Sequence, residues 1–304
     1  MIRSLVSSRR TRVIVGGVLL AIVLLAWGML PAIRAFTLVY NGNPRAIPSA
    51  SQVDIPVRDV RFAASDGVQL RGWLAIASSN APTIILVHGF KGSRVSMLPW
   101  ARFLYKAGYN VLLFDGRGCG QSDGWGIALG AREADDVIGA VHYLQGRADL
   151  TNKHYGALGE SLGAGIVLLA ASREPALLAV VADSAWADEQ SQLSRMGSVG
   201  VGRLTIPLLP YEPALVDSLI GARLEAASPR AAVRDISPRA VFLIHSADDK
   251  NTLTPPDGET QIYANAGQPK QQWIVPNGGH VGALAAHTAE YTQRVLAFFA
   301  QYLK

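Results

Sequence analysis

Gly159-Glu160-Ser161-Leu162-Gly163 sets a serine between two glycines, where the apolar run Tyr155–Leu158 gives way to a helical one, LGAGIVLLAAS. A serine hydroxyl is presented as a nucleophile when it stands on a sharp strand-to-helix turn above a sheet, and flanking small residues allow the bend and a close helix approach. Such a nucleophile needs a base within hydrogen-bond reach and a third group that orients the base. On a turn of this kind the chain order is serine, carboxylate, histidine. Asp248 and Asp249 follow the apolar run VFLIHSA, and His280 follows WIVPNGG. His280 would take the serine proton and return it to the leaving group, while an aspartate orients the imidazole and stabilises its charged form. Residue type alone leaves Asp248 and Asp249 both open.

His88-Gly89-Phe90 ends the apolar run TIILVH, where backbone N–H groups would face the tip of a neighbouring strand. The N–H groups of Phe90 and of Leu162, the residue after the serine, are the expected donors to an oxyanion. His88 precedes the serine and is read as shaping its loop. His154 and His245 border strands and are given structural roles, and His142 and His287 fall in helical runs as surface residues.

These groups need a scaffold. Two alternating runs, VRDVRFA and VQLRGWLAI, joined through Ser65-Asp66-Gly67, predict an opening hairpin. Short, almost wholly apolar runs follow at 83–88, 109–114, 154–159, 177–183, 240–245 and 271–276, as strands buried on both faces require. Helical spacing fills 96–108, 131–144 and 285–303, so the class is α/β with a mainly parallel sheet and helices on both faces. Residues 185–238 separate two strands by more than an ordinary connection and are read as an inserted cap. Its run from Ile206 to Tyr211 would line an acyl pocket, touch a membrane or simply pack.

In order and at ordinary spacings, HGF, FDGRGCGQSDG, GESLG, HSADD and NGGH resemble the α/β-hydrolase superfamily. The likeness is to its esterase-like and serine-aminopeptidase-like branch, whose DGxxLxGW-type opening is matched by Asp66–Trp73. It covers about residues 57–304. The resemblance implies a triad of Ser161, Asp249 and His280. The choice of Asp249 rests on the branch pattern H-G-x-x-D, in which the acid stands three positions past the glycine. Ser246 replaces that glycine here, a departure that bears on the loop around the acid.

Composition narrows the alternatives. Apolar residues make up 49% of the 304-residue chain and charged residues 17%, enough for a sizeable core. Arg3, Arg9, Arg10, Arg12 and Arg34 fall in the first 35 residues, where there is no Asp or Glu, and account for the net charge of +5. The body is therefore balanced, with no basic footprint for nucleic acid. The lone Cys119 excludes an intramolecular disulfide and is read as a loop residue. No HExxH, carboxylate–histidine cluster or Walker loop appears, so neither metal nor cofactor is expected.

Val13–Ile33 holds no ionisable side chain and is long enough to cross a bilayer as a helix. A secretory signal has a shorter apolar region and a small-x-small cleavage site, and neither condition is met cleanly, which leaves a cleaved signal as the alternative to a retained anchor. Arginines crowd ahead of the span, which predicts a cytoplasmic N-terminus and an extracytoplasmic body. The expected organisation is residues 1–35 as arginines and anchor, 36–54 as a polar linker, and 55–304 as the hydrolase domain. The expected activity is hydrolysis of a carboxylic ester, or of a short peptide or amide, through an acyl-enzyme on Ser161. An acyltransferase with the same triad and a catalytically silent binding protein are the alternatives.

Overall fold

The computed structural model describes residues 9–41, 46–188, 197–201, 203–207 and 209–303. The apolar runs form β1 (Val57–Ala63), β2 (Gln69–Ala75), β3 (Thr83–Val87), β4 (Asn110–Asp115), β5 (Tyr155–Glu160) and β6 (Leu177–Asp183). A separate hairpin, β7 (Ser198–Val201) with β8 (Leu204–Pro207), precedes β9 (Ala240–Ser246) and β10 (Lys270–Val275). Among the described residues the main sheet has eight strands in the order β1-β2-β4-β3-β5-β6-β9-β10. Only β2 runs against its neighbours, so the sheet is mainly parallel. Ser65-Asp66-Gly67 turns β1 into β2 as its composition predicts, with Gly67 at φ +95°, a conformation that favours glycine.

Every residue of β3, β4 and β9 is buried, because helices cover both faces. Neighbours along a strand serve opposite layers. Ile85 and Leu112 pack with α3 (Ala134–Gln145) and α4 (Leu162–Arg173), whereas Ile84 and Leu113 pack with α2 (Leu98–Lys106) and the C-terminal helix. The strands therefore read as continuous apolar runs instead of alternating ones.

Charge is buried where it holds loops. Asp115, at the end of β4, accepts hydrogen bonds from the backbone N–H of Arg94 at 2.8 Å, Arg94 Nε at 3.1 Å, Arg94 Nη2 at 2.9 Å and the backbone N–H of Gln121 at 2.8 Å. Arg94 is 1% exposed and lies over the Trp73 ring. Removing one partner of such a pair strands the other charge, so Asp115→Ala is expected to cost about 3–5 kcal/mol. Denaturant unfolding of the detergent-solubilised chain measures it. A loss below about 1 kcal/mol, the range of exposed pairs, would show that these loops are held by other contacts.

The N-terminal region departs from the expected boundaries. Helix α1 (Arg9–Val39) continues past residue 35 into the segment read as linker. Tyr40 then bridges to Gly126, and the Asn41 amide donates to Gly118 O at 3.1 Å. Farther on, Ile47, Ala50 and Val53 pack on the core. Residues 36–41 and 46–54 thus lie against the body, because apolar positions among the polar ones find a surface there. Arg3 and residues 42–45 are outside the described residues.

Within 185–238 the order is Ala185–Ala187, the β7–β8 hairpin, α5 (Glu212–Ile220) and short helical turns over 224–236. Val233 and Ile236 join the core beside α4, so the end of this stretch serves as an ordinary crossover to β9. Leu208 and residues 189–196 and 202 are outside the described residues.

Candidate active site

Three strand ends converge on one edge of the sheet. β5 ends at Glu160, and α4 begins at Leu162, leaving Ser161 at φ +52° and ψ −116°. Such a backbone conformation costs a non-glycine residue about 1–3 kcal/mol and persists only where its surroundings hold it. Here the Ser161 N–H donates to Asp183 O at 2.8 Å, and Ser161 O accepts from the Ala164 N–H at 3.0 Å. The glycine after the turn answers to packing, since a Cβ on Gly163 would strike the carbonyl oxygen of Val87. α4 can therefore start directly against β3.

His280 lies on the loop after β10. Its Nε2 is 2.8 Å from Ser161 Oγ and its Nδ1 is 2.8 Å from Asp249 Oδ2. With Asp249 ionised, the pattern assigns the ring proton to Nδ1, leaving Nε2 to accept from the serine hydroxyl. Asp249 is buried, and its Oδ1 accepts from the Asn251 N–H at 2.8 Å. Asp248 is exposed and points elsewhere: its Oδ1 accepts from the Gly279 N–H at 2.9 Å, which holds its carboxyl below the usual range. The neighbouring carboxylates thus have different tasks, one meeting the imidazole and the other fastening the loop that carries it.

The HGF loop abuts the serine. A Cβ on Gly89 would lie 3.3 Å from Ser161 Cβ, and the Gly89 N–H donates to Glu160 Oε1 at 3.3 Å. Burial raises the Glu160 carboxyl above its ordinary value. His88 accepts from the Gly116 N–H through Nε2 at 3.0 Å and bonds Gly89 O through Nδ1 at 2.8 Å, so it shapes the loop. Phe90 N and Leu162 N therefore belong to segments that flank Ser161.

Some of the surrounding contacts, those of Glu259 and Asp183 among them, escaped the sequence reading. His245, fully buried on β9, has Nε2 3.0 Å from Asp249 Oδ2 and Nδ1 3.1 Å from Glu259 Oε2. Burial works to lower the His245 pKa, but the hydrogen bond and charge of Glu259, together with Asp249, outweigh it and leave it raised. Glu259 comes from α6 (Pro256–Asn265), and no motif links it to the site. Asp183, whose carboxyl burial raises to about 6, accepts from Ser184 Oγ and from Tyr291 OH on α7 (Thr288–Tyr302). Ser184 Oγ in turn accepts from the Val281 N–H at 3.2 Å, beside His280. Ser246, which replaces the branch glycine, is buried against Gly278, where an added Cβ would lie 2.9 Å from its Oγ. Cys119 is buried, and burial pushes its thiol up to about 12. Among the described residues, no group of three or more His, Cys, Asp or Glu side chains is placed to hold a metal ion.

Comparison with known proteins agrees with this architecture. A family model described as alpha/beta hydrolase fold matches residues 82–201. The chain is 30% identical over 246 residues to the uncharacterized protein Rv2307c of Mycobacterium tuberculosis, covering 80% of this chain and 79% of that one. It is 26% identical over 299 residues to the uncharacterized protein YfhR of Salmonella typhimurium, covering 93% of each. Among solved structures it is similar to the esterase Pf2001 of Pyrococcus furiosus, with TM-score 0.69, 25% identity, and coverage of 86% of this chain and 97% of that one. Fold and likeness together define a hydrolase. The chain belongs to the α/β-hydrolase superfamily, with a mainly parallel central sheet and esterases among its structural neighbours.

Proposed function

We propose that the chain is a membrane-tethered serine hydrolase that cleaves carboxylic esters through an acyl-enzyme on Ser161, with His280 as base and Asp249 as its orienting acid. The observation that carries this reading is the unbroken hydrogen-bonded series from Ser161 Oγ through the His280 ring to Asp249. His280 Nε2 takes the hydroxyl proton as Oγ attacks the ester carbonyl. The oxyanion is met by the N–H groups of Phe90 and Leu162. Collapse of the intermediate expels the alcohol, which leaves with the proton from His280. Water, deprotonated by the same nitrogen, then releases the acid and frees the serine.

The esterase character of a structural neighbour supports an ester in preference to an amide. A panel of p-nitrophenyl esters and aminoacyl amides, given to the detergent-solubilised full chain, tests the choice. Ester turnover should exceed amide turnover. Faster cleavage of the amides would reassign the substrate class.

The tether is α1, the one helix among the described residues long and apolar enough to cross a bilayer. Its last turns contribute Ala35 and Val39, both nearly fully buried, to a cluster with Val216, Ile220 and Leu129. Removing α1 as a signal would expose this cluster, which supports retention. With the N-terminus cytoplasmic, protease added outside intact cells is expected to digest the hydrolase body. Digestion only after lysis would reverse the orientation.

A further inference from the structure

The free part of α1 is too short to cross a bilayer by itself. Val13–Ala26 is exposed along its whole length and rises about 21 Å, against a hydrocarbon core of about 30 Å. Tilting the helix would increase the shortfall. The next turns, Trp27–Ile33, supply the missing rise, but they are already docked on the body. Trp27 Nε1 donates to Pro207 O at 2.8 Å, and Tyr211 OH donates to Gly28 O. Arg34, just past the apolar run, approaches Glu212 and donates to Ser198 O at 3.3 Å. The base of the β7–β8 hairpin is therefore held at the level where the span must still be in apolar surroundings.

The hairpin surface suits that position. Its sequence contains no acidic residue, Leu204 is 70% exposed, and Ile206 is half-buried. Met29 and Ile33, on the adjoining turns of α1, are also exposed. Arg203 next to Leu204 is exposed and can carry its charge toward lipid phosphates while its stem stays in apolar surroundings.

The serine lies just beyond this level. Leu162 packs against the cluster containing Ala35 and Val39, and Lys91 Nζ donates to Thr37 O at 2.6 Å. Lys91 follows Phe90, which is 45% exposed and adjoins Gly89, the residue that abuts Ser161. From Ile33 to Thr37 the helix rises only about 6 Å. The HGF loop is consequently about one helical turn from the last apolar residue of the span.

We propose that the β7–β8 hairpin sits at the boundary between headgroups and acyl chains, so that the serine site opens onto the membrane surface and acts on long-chain acyl esters of membrane amphiphiles. This substrate class rests on the serine-hydrolase and anchor readings. An amphiphile would keep its acyl chain beside the hairpin while its ester reaches Ser161. A soluble short-chain ester forgoes that binding.

Two measurements on the full chain in phosphatidylcholine vesicles separate these claims. In the first, a polarity-sensitive fluorophore is attached at Leu204→Cys or, as a control, at Ala148→Cys, an exposed position in the loop before β5, at the opposite edge of the sheet. The buried Cys119 leaves the introduced thiol as the reactive one. Lipids brominated on their acyl chains should quench the label at 204 about twofold or more and spare the label at 148, as an apolar surface sunk about 5–10 Å would require. Equal emission at both sites would overturn the placement, whatever the enzyme hydrolyses. In the second, wild-type kcat/KM for a long-chain acylglycerol in the vesicles should exceed that for a p-nitrophenyl acetate by about tenfold or more, because the remote chain contributes binding energy. A ratio of one or less, with quenching retained, would overturn the substrate class. Failure of a fluorophosphonate to label Ser161 would instead overturn the serine-hydrolase reading and leave the quenching result standing.

Discussion

Ser161→Ala is expected to abolish fluorophosphonate labelling and to lower ester turnover about a millionfold, the loss seen when the nucleophile of a Ser-His-Asp triad is removed. The size of the effect follows from interdependence. Without Oγ, His280 Nε2 has no hydroxyl to deprotonate, and the Asp249–His280 bond at 2.8 Å orients a ring with nothing to activate. Residual turnover would reflect substrate binding and the proposed Phe90 and Leu162 donors, which act without the serine. Folding should survive, because alanine keeps the Cβ and the backbone bonds to Asp183 O and from Ala164 N that hold the turn. Titrating the active fraction with the probe, followed by side-by-side kinetics, measures both effects. Equal labelling of the two proteins would remove Ser161 from the mechanism.

Local features of the sequence were the most legible. The strand runs were fixed by two-sided burial, and the Ser65-Asp66-Gly67 turn by backbone chemistry, so both could be read from neighbouring residues. The elements bearing Ser161 and His280 were equally accessible, since a strand must end and a turn begin at both places. Glu259 is different. Its approach to His245 depends on how α6 packs behind β9, and nothing in PDGETQIYAN distinguishes a buried glutamate from a surface one. The C-terminal boundary of α1 was missed for a related reason. Phe36–Val39 lacks the unbroken apolar length that marks a span, and its helical state is stabilised by packing against residues far away in sequence, among them Val216 and Ile220. Hydropathy sees the bilayer part of such a helix and overlooks the part that docks.

Asp249→Asn is expected to lower turnover about 10⁴-fold, as the corresponding change in a Ser-His-Asp triad does by imposing the wrong imidazole tautomer. The surrounding bonds show why an amide cannot substitute. Oδ2 faces His280 Nδ1 at 2.8 Å and His245 Nε2 at 3.0 Å, while Oδ1 accepts from the Asn251 N–H at 2.8 Å. An asparagine that keeps its carbonyl toward Asn251 turns its NH₂ toward His280, which must then accept through Nδ1 and carry its proton on Nε2, facing the serine. The opposite orientation sets two donors against each other at Asn251. Either way, one requirement met by the carboxylate fails. At Asp248 the bond from the Gly279 N–H needs only an acceptor, which an asparagine carbonyl supplies. Asp248→Asn should therefore retain most of the activity, with its effect confined to the fastening of the His280 loop. Steady-state kinetics of both variants, with circular dichroism to establish folding, make the comparison. A larger loss at Asp248 than at Asp249 would mean that the acting acid lies one residue earlier, despite the 2.8 Å contact between Asp249 and His280.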